Sequence, residues 1–341
     1  MDLTQQFLNI PDFFTPDLVN TIYRVPYQER AIAAQQWAQR YNIQPANADQ
    51  KRIGLLLIDV QNTFCLPEFE LFVAGESGMG AVEDNIRLCQ LIYRNLGIIT
   101  EIIPTLDSHT AIQIFHPIFW VNKNGEHPQP LTMIDLAEVE TQIWQVNPKL
   151  DHVVDGDIEK LEQHALHYVQ KLSNDGKYPL TIWPYHSMLG GIGHSLVAAV
   201  EEAIFFHSIA RKSPTQFQLK GDNPLTENYS VLSPEVLDTV NNQTIAQKNT
   251  KLITQLLSFD ALWIAGQAKS HCVAWTIENL LEEIVKIDPN LAQKVYLIED
   301  CMSPVVIPGV IDFTEQANRT FQRFADAGMN LVKSSDSFCS L

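Results

Sequence analysis

Short aliphatic runs that alternate with amphipathic segments limit this chain to a few kinds of fold. The run RIGLLLIDV (52–60) is almost continuously aliphatic, which is typical of a strand buried on both faces of a sheet. The segment MGAVEDNIRLCQLIYRNLG (79–97) has apolar residues at helical spacing and ends at a glycine, and IITEIIPTL (98–106) is again strand-like. A strand, a helix and a second strand in this order predict the start of a parallel sheet.

The same alternation continues to about residue 300. Counting the first two strands, six predicted strands alternate with helices. This order predicts an α/β protein with three α/β/α layers around a six-stranded, mostly parallel sheet. The later strand-like runs are LTIWP (180–184), QFQLK (216–220), ALWIA (261–265) and KVYLIED (294–300), and helical patterns lie near 194–211, 233–258 and 272–285.

Two polar segments lie outside this pattern. Residues 1–50 are predicted to form a helical N-terminal extension, because PYQERAIAAQQWAQRY has the apolar spacing of a surface helix. Residues 51–335 then form the main domain, with an insertion at about 120–178 where a polar loop precedes the helical DIEKLEQHALHYVQKL. His164 and His167 lie on that helix, and we expect them on its solvated face.

The acidic composition narrows the range of partners. With 23 Lys and Arg against 40 Asp and Glu, the formal charge is -17, which argues against nucleic acid and against an anionic membrane surface. No apolar run is long enough to span a membrane, and the N-terminal MDLTQQFLNIPDFF lacks the pattern of a signal peptide. We therefore expect a soluble, cytoplasmic protein with reduced thiols. The cysteines are an odd, widely spaced set, unlike a disulfide framework: Cys65, Cys89, Cys272, Cys301 and Cys339.

Chemically reactive side chains follow several of the predicted strands. In parallel sheets, ligands bind beyond the carboxyl ends of the strands. Side chains at these ends are therefore predicted to converge on one edge of the sheet. In chain order they are Asp59, Asp107, His109, His186, Lys220 and Cys272.

The segment LWIAGQAKSHCVAWT (262–276) puts Cys272 between a predicted strand and a predicted helix. The apolar run breaks at Gly266, and apolar residues at helical spacing begin at about Cys272. A thiol at the start of a helix lies near the positive end of the helix dipole, which favours the thiolate. The alternative is a small apolar residue that caps the turn, and Cys272 alone does not decide between the two.

Taken together, five segments resemble motifs of the cysteine hydrolase superfamily that includes isochorismatases and nicotinamidases. LLLIDVQNTF resembles the opening strand with its aspartate, and TLDSH followed by HPIFW resembles the metal-binding segment. WPYH, LKGDNPLTENYSV and AGQAKSHCVAWT resemble the tryptophan-proline-x-histidine segment, the lysine-glycine segment and the nucleophile turn. The resemblance is greatest to the metal-containing nicotinamidases. It runs in order over about residues 52–305 and implies the isochorismatase-like hydrolase fold.

The resemblance implies a catalytic triad of Asp59, Lys220 and Cys272. Asp59 would take the proton of the thiol and deliver it to the leaving amine, Lys220 would stabilise the thiolate, and Cys272 would attack an amide carbonyl. The backbone N–H groups of Ala268 and Cys272 would form the oxyanion hole, beside a cis peptide bond between Gln267 and Ala268. Taken singly, Asp59 could cap a turn and Lys220 could be a solvated loop cation.

The resemblance also implies a site for one divalent transition metal. Asp107, His109 and His186 offer a carboxylate and two imidazoles, which suit zinc first and also iron or manganese. Positions would remain open for water or for a ring nitrogen of the substrate. His116 is a fourth candidate ligand, or it packs nearby without binding the metal.

Three aromatic residues match substrate-pocket positions of nicotinamidases. Phe64 and Trp183 would hold a flat ring between them and Tyr229 would complete the pocket, although each could instead be ordinary core. The chain departs from the family pattern at Thr63, where an aspartate is usual, and in SMLGGIGH after WPYH. These departures fit a substrate that is larger than plain nicotinamide.

The resemblance implies a metal-containing cysteine amidohydrolase that converts a small carboxamide, nicotinamide or a related amide, to the acid and ammonia through a thioester. One alternative is a C–N hydrolase of the same superfamily that acts on a different, larger amide. Another is a non-catalytic relative that binds a ligand, and the retained Asp59, Lys220 and Cys272 argue against it, because a binding protein needs no nucleophile. The family also implies a homo-oligomer.

Overall fold

Six strands form the central sheet of this computed structural model, which describes residues 7–154 and 156–337. Their order across the sheet is β12-β9-β8-β1-β2-β7. Cys339, the fifth cysteine of the sequence, lies outside the described residues. In chain order the strands are β1 (Ile53–Ile58), β2 (Ile99–Asp107), β3 (Trp120–Val121), β4 (Met133–Ile134), β5 (Gln145–Val146), β6 (Leu180–Thr181), β7 (Gln218–Lys220), β8 (Ala261–Gly266), β9 (Val295–Ile298), β10 (Val306–Ile307), β11 (Ile311–Asp312) and β12 (Asn330–Val332).

Helices separate most strands of the central sheet along the chain. Within the described part of the chain, no helix is both long enough and apolar enough to cross a membrane. The α-helices are α1 (Tyr27–Arg40), α2 (Asn62–Cys65), α3 (Gly80–Arg94), α4 (Leu136–Glu140), α5 (Ile158–Asn174), α6 (Ala198–Arg211), α7 (Thr250–Leu257), α8 (Ala274–Ile287) and α9 (Thr314–Asp326).

The centre of the sheet is parallel and fully buried. Strand β1 pairs in parallel with β2 on one side and with β8 on the other, and β8 and β9 continue the parallel pairing to β12. Every residue of β1 and of β8 is buried, because helices cover both faces of a parallel sheet. The predicted fold class, a three-layer α/β/α protein with a six-stranded sheet, is confirmed.

The membership of the sheet differs from the prediction in one strand. The prediction that LTIWP is a strand of the central sheet was wrong, because only its first two residues are extended and they pair antiparallel with β4. The sixth strand is instead β12, which sequence analysis missed. The helix predicted near 233–258 is also shorter than expected, since only α7 is helical there.

The first of two compact units of the chain, unit 1, contains most of the central sheet and has an apolar core against α3 and α6. The side chains of Leu55, Leu57 and Trp263 are fully buried in this core. The N-terminal extension packs against the same unit, and its Arg30 Nε lies 2.5 Å from Oε1 of the buried Glu202 on α6. Unit 1 comprises the described residues of Met1–Leu106, Ser195–Gln218 and Thr250–Leu341.

Unit 2 has its own core, formed around the buried Phe115, Trp120 and Tyr168. The expectation of a solvated histidine face on α5 was wrong for His164, which is buried and bonds the carbonyl oxygen of Leu225 through Nε2 at 2.8 Å. The division into an extension, a main domain and an insertion stays a prediction. Unit 2 comprises the described residues of Asp107–His194 and Leu219–Asn249.

Candidate active site and metal centre

Asp59 follows the last residue of β1 and is fully buried in unit 1. Its backbone has φ +48°, so the chain turns sharply at the end of the strand. The backbone N–H of Asp59 donates to Oγ1 of Thr105 at 3.0 Å, and the Thr105 hydroxyl donates in turn to Oδ1 of the Asp59 carboxylate. Strand β2 therefore fixes this carboxylate through one buried threonine, which sequence analysis missed.

The nucleophile candidate lies in a short segment between β8 and α8, residues 267–273, which we call the elbow. Strand β8 ends at Gly266, the peptide bond between Gln267 and Ala268 is cis, and a π-helical turn over Lys269–Val273 leads into α8. Cys272 lies in that turn and is 8% exposed. The cis bond therefore lies at the position that the family resemblance implies.

Asp59 and the elbow follow two neighbouring strands of unit 1. Strands β1 and β8 are parallel, and Ile58 is paired with Gly266 at their carboxyl ends. The N–H of Gln267 donates to the carbonyl oxygen of Ile58 at 2.8 Å, which keeps the two strand ends together. The carboxylate candidate and the thiol candidate thus leave the sheet at the same edge, as predicted for ligand-binding residues.

The other described cysteines are ordinary core residues. Cys65, Cys89 and Cys301 are almost completely buried in unit 1. Burial raises the pKa of each of these thiols well above its usual value, because a thiolate is poorly solvated there. These three side chains are therefore neutral thiols near neutral pH.

Asp107, His109 and His186 come together in unit 2, and their ligand atoms all lie within 4.8 Å of one another. Nε2 of His109 is 2.8 Å from Oδ2 of Asp107, and Nε2 of His186 is 3.5 Å from the same oxygen. The Nδ1 atoms bond backbone carbonyl oxygens instead, at 2.9 Å to Gly221 and 2.8 Å to Pro184. These outer bonds hold both rings with Nε2 facing the carboxylate, which is how metal-binding histidines are oriented.

The chemistry of this group fits a divalent transition metal. One carboxylate and two imidazoles are ligands that zinc, iron and manganese accept. Burial lowers the pKa of His186, so its imidazole is neutral, the form that binds a metal. Burial by itself would raise the pKa of Asp107, but the charges of His109 and Lys220 outweigh it and hold this carboxyl well below its usual pKa.

Lys220 is buried beside this group and is not a solvated loop cation. Its Nζ donates to Oδ1 of Asp107 at 2.7 Å and to the carbonyl oxygen of Asn228 at 2.8 Å. Gly221, the next residue, has φ +88°, and a Cβ there would lie 2.6 Å from Cε1 of His109. Only glycine therefore fits after Lys220, and this explains the lysine-glycine pair of the sequence. That Lys220 acts with Asp59 and Cys272 stays a prediction.

His116 is buried close to the metal-ligand group but lies outside it. Its ring centroid is 5.9 Å from the rings of both His109 and His186. Its Nδ1 bonds the carbonyl oxygen of Ala111 at 3.2 Å, and its buried Nε2 has no hydrogen-bond partner among the described residues. Burial is the main cause that lowers its pKa to about 3, so the ring is neutral. Its role as a fourth ligand stays a prediction.

Two of the three aromatic candidates are in contact. Nε1 of Trp183 donates to the hydroxyl oxygen of Tyr229 at 3.1 Å, and both residues belong to unit 2. Tyr229 also lies edge-on to Tyr178, with ring centroids 6.1 Å apart. Phe64 lies on α2 of unit 1 and is nearly buried, and its part in a substrate pocket stays a prediction.

Comparison with solved structures identifies the fold. A nicotinamidase–pyrazinamidase from Acinetobacter baumannii matches over 84% of this chain and 99% of its own, with 18% identity and a TM-score of 0.50. The yeast nicotinamidase, solved with the inhibitor nicotinaldehyde, matches over 82% and 99% with the same identity and TM-score. In searches by sequence, no protein-family model and no curated protein matches the chain. The chain has the fold of these nicotinamidases, so the predicted isochorismatase-like fold is confirmed.

The contrast between the elbow thiol and the core thiols predicts selective alkylation. Iodoacetamide at pH 7.5 is expected to modify Cys272 at least about tenfold faster than Cys65, Cys89 or Cys301, because only thiolates react and burial keeps the other three neutral. Peptide mapping by mass spectrometry after timed quenching measures the four rates. Equal rates in the folded protein would remove the case for an activated thiol in the elbow.

Proposed function

We propose that this protein is a metal-containing cysteine amidohydrolase that releases ammonia from a small carboxamide. The observation that carries the proposal is the arrangement at the ends of β1 and β8, where a buried carboxylate and a thiol at the start of a helix follow neighbouring strands. The shared fold with nicotinamidases supports the same reaction class. A homo-oligomer and a cytoplasmic location remain part of the proposal as expected from the sequence.

Cys272 is the proposed nucleophile. Its sulfur forms a bond to the carbonyl carbon of the amide while Asp59 takes the thiol proton. The C–N bond then breaks, and Asp59 delivers that proton to the leaving nitrogen, so that ammonia departs and a thioester remains. Water cleaves the thioester, which releases the carboxylic acid and restores the thiol.

Lys220 and the elbow backbone are proposed to stabilise negative charge during these steps. A nearby ammonium group lowers the pKa of a cysteine and favours its thiolate. The N–H groups of Ala268 and Cys272 are the proposed oxyanion donors, since both belong to the elbow that carries the nucleophile. Preorganised donors of this kind are usually a large part of the rate enhancement in acyl transfer.

Asp107, His109 and His186 are the residues that would hold the metal, with His116 as a proposed fourth ligand. The bound metal would act as a Lewis acid that orients the substrate or the hydrolytic water. Zinc is the first choice, and iron and manganese suit the same ligands. The outer bonds of both histidines to backbone carbonyls support this proposal, because they hold both rings with Nε2 facing Asp107.

Phe64, Trp183 and Tyr229 are the proposed contacts of a flat acyl group. Aromatic faces bind a planar ring through stacking and apolar contact, and the hydroxyl of Tyr229 is already fixed by Trp183. Nicotinamide is therefore the first substrate to test. Bulkier aromatic carboxamides test the alternative of a larger substrate.

Ammonia release from a panel of carboxamides, beginning with nicotinamide and pyrazinamide, tests the function. Cys272→Ala is expected to abolish turnover with folding intact, and Asp59→Asn to lower it by at least about a hundredfold, since it removes the general acid–base. Cys89→Ala, which removes a buried thiol elsewhere in unit 1, is the matched control and retains turnover. Ammonia release by folded Cys272→Ala at the wild-type rate would contradict the proposal.

Metal analysis of the purified protein tests the ligand group. About one transition-metal ion per chain is expected, and His186→Ala should lose it because only two ligands of the group remain. His164→Ala, which changes another buried histidine of unit 2, should keep the metal. The metal proposal fails if the fully active enzyme contains no metal, and the cysteine chemistry would then stand alone.

A further inference from the structure

A buried network from α3 holds the first residue of the elbow. Gln267 is fully buried, and its Nε2 donates to Oδ2 of Asp84 at 2.8 Å. Asp84 is also buried, and its Oδ1 accepts from Nη2 of Arg87 at 2.8 Å. The amide nitrogen of Gln267 thus bonds a carboxylate that Arg87, on the same helix α3, also holds.

The other end of the same side chain is held by the segment after β9. The N–H of Ser303 donates to Oε1 of Gln267 at 3.3 Å, and the carbonyl oxygen of Ser303 accepts from the N–H of Lys269 at 2.9 Å. A Cβ at Gly80 would lie 2.5 Å from Oγ of Ser303, so the glycine that starts α3 makes room for this serine. Two points of the elbow, Gln267 and Lys269, are therefore fixed to one residue.

This arrangement leaves the elbow little freedom to turn. A buried amide that rotates away from its partners leaves both of its polar groups unsatisfied, together with the groups that it bonded. In a low-dielectric interior such losses are larger than at the surface. The orientation of the Gln267 side chain is thus set by Asp84 and Ser303, and Cys272 follows five residues later in the same braced segment.

We propose that Asp84 is a positioning residue, which acts through Gln267 to hold the elbow so that the Cys272 thiol and its neighbouring N–H groups can react. The part that concerns turnover rests on the proposed amidohydrolase function. The part that concerns the thiol does not, since alkylation of Cys272 reports its reactivity without a substrate.

Exchanging the carboxylate of Asp84 and the amide of Gln267 between the two positions tests the proposal. Gln267→Glu alone places two carboxylates next to each other. Asp84→Asn alone replaces one acceptor oxygen by an amide nitrogen, which then faces the donor group of either Arg87 or Gln267. In the double variant, the new amide at position 84 donates to the new carboxylate at position 267 and still accepts from Arg87. The second carboxylate oxygen at 267 still accepts from the N–H of Ser303, so these three bonds are restored with the total charge unchanged.

Each single variant is expected to slow the alkylation of Cys272 by iodoacetamide at least about tenfold, and to lower kcat with KM nearly unchanged. The double variant should return both rates to within about threefold of wild type. The matched control is the exposed pair on α9, where Nε2 of Gln322 donates to Oδ1 of Asp326 at 2.9 Å. Gln322→Glu with Asp326→Asn, singly or together, should leave the alkylation rate unchanged.

The pH dependence of alkylation and the melting temperature separate positioning from simple support of the fold. If the single variants melt earlier but keep the wild-type alkylation profile, or if the folded double variant fails to recover, the proposal is overturned. Should Gln267→Glu not fold, Gln267→Met removes both bonds without adding charge, and it must slow alkylation in the same way. A wild type that releases no ammonia, but shows the expected alkylation pattern, would refute the proposed function and leave the positioning role intact.

Discussion

The close approach of β1 and β8 at their carboxyl ends is the constraint on which the rest of the candidate site depends. At Gly266, with φ +122°, a Cβ would lie 2.0 Å from the carbonyl oxygen of Ile58, so no other residue fits there. The N–H of Gln267 bonds that same oxygen. Because of this contact, Asp59 leaves one strand and the elbow leaves the next at a fixed separation. A carboxylate from one strand and a thiol from its neighbour are thereby available for acid–base and nucleophilic chemistry at one edge of the sheet.

A second constraint of the same kind operates in unit 2. The backbone after Lys220 passes so close to His109 that only Gly221 fits, and its carbonyl oxygen then fixes the histidine ring. Asp107 bonds the Lys220 ammonium through one oxygen and faces both histidines through the other. One carboxylate thus neutralises a buried cation and would also bind a metal. In both units, a glycine allows backbone and side chains to meet, and buried hydrogen bonds then orient the reactive atoms.

Local sequence patterns predicted the parts of this structure that depend on local physics. A few consecutive residues are enough to predict each of these parts. They are the aliphatic strands β1 and β8, the break at Gly266 and the helix after Cys272. LTIWP has the composition of a central strand, but its partner is β4, and pairing is decided by tertiary context. The short β12 has no pattern strong enough to be detected. Thr105 and Asp84 hold the site from 46 and 183 residues away in sequence, and no local signal marks such contacts.

The central claim is that Cys272 becomes acylated during amide hydrolysis. Rapid quenching of the enzyme with an excess of a carboxamide that it turns over, followed by intact-mass and peptide mass spectrometry, measures this directly. The account predicts a transient mass increase that matches the acyl group, located on the peptide that contains Cys272 and removed by hydroxylamine. Turnover with no acyl group on the enzyme at any time, or an acyl group on another residue, would contradict it.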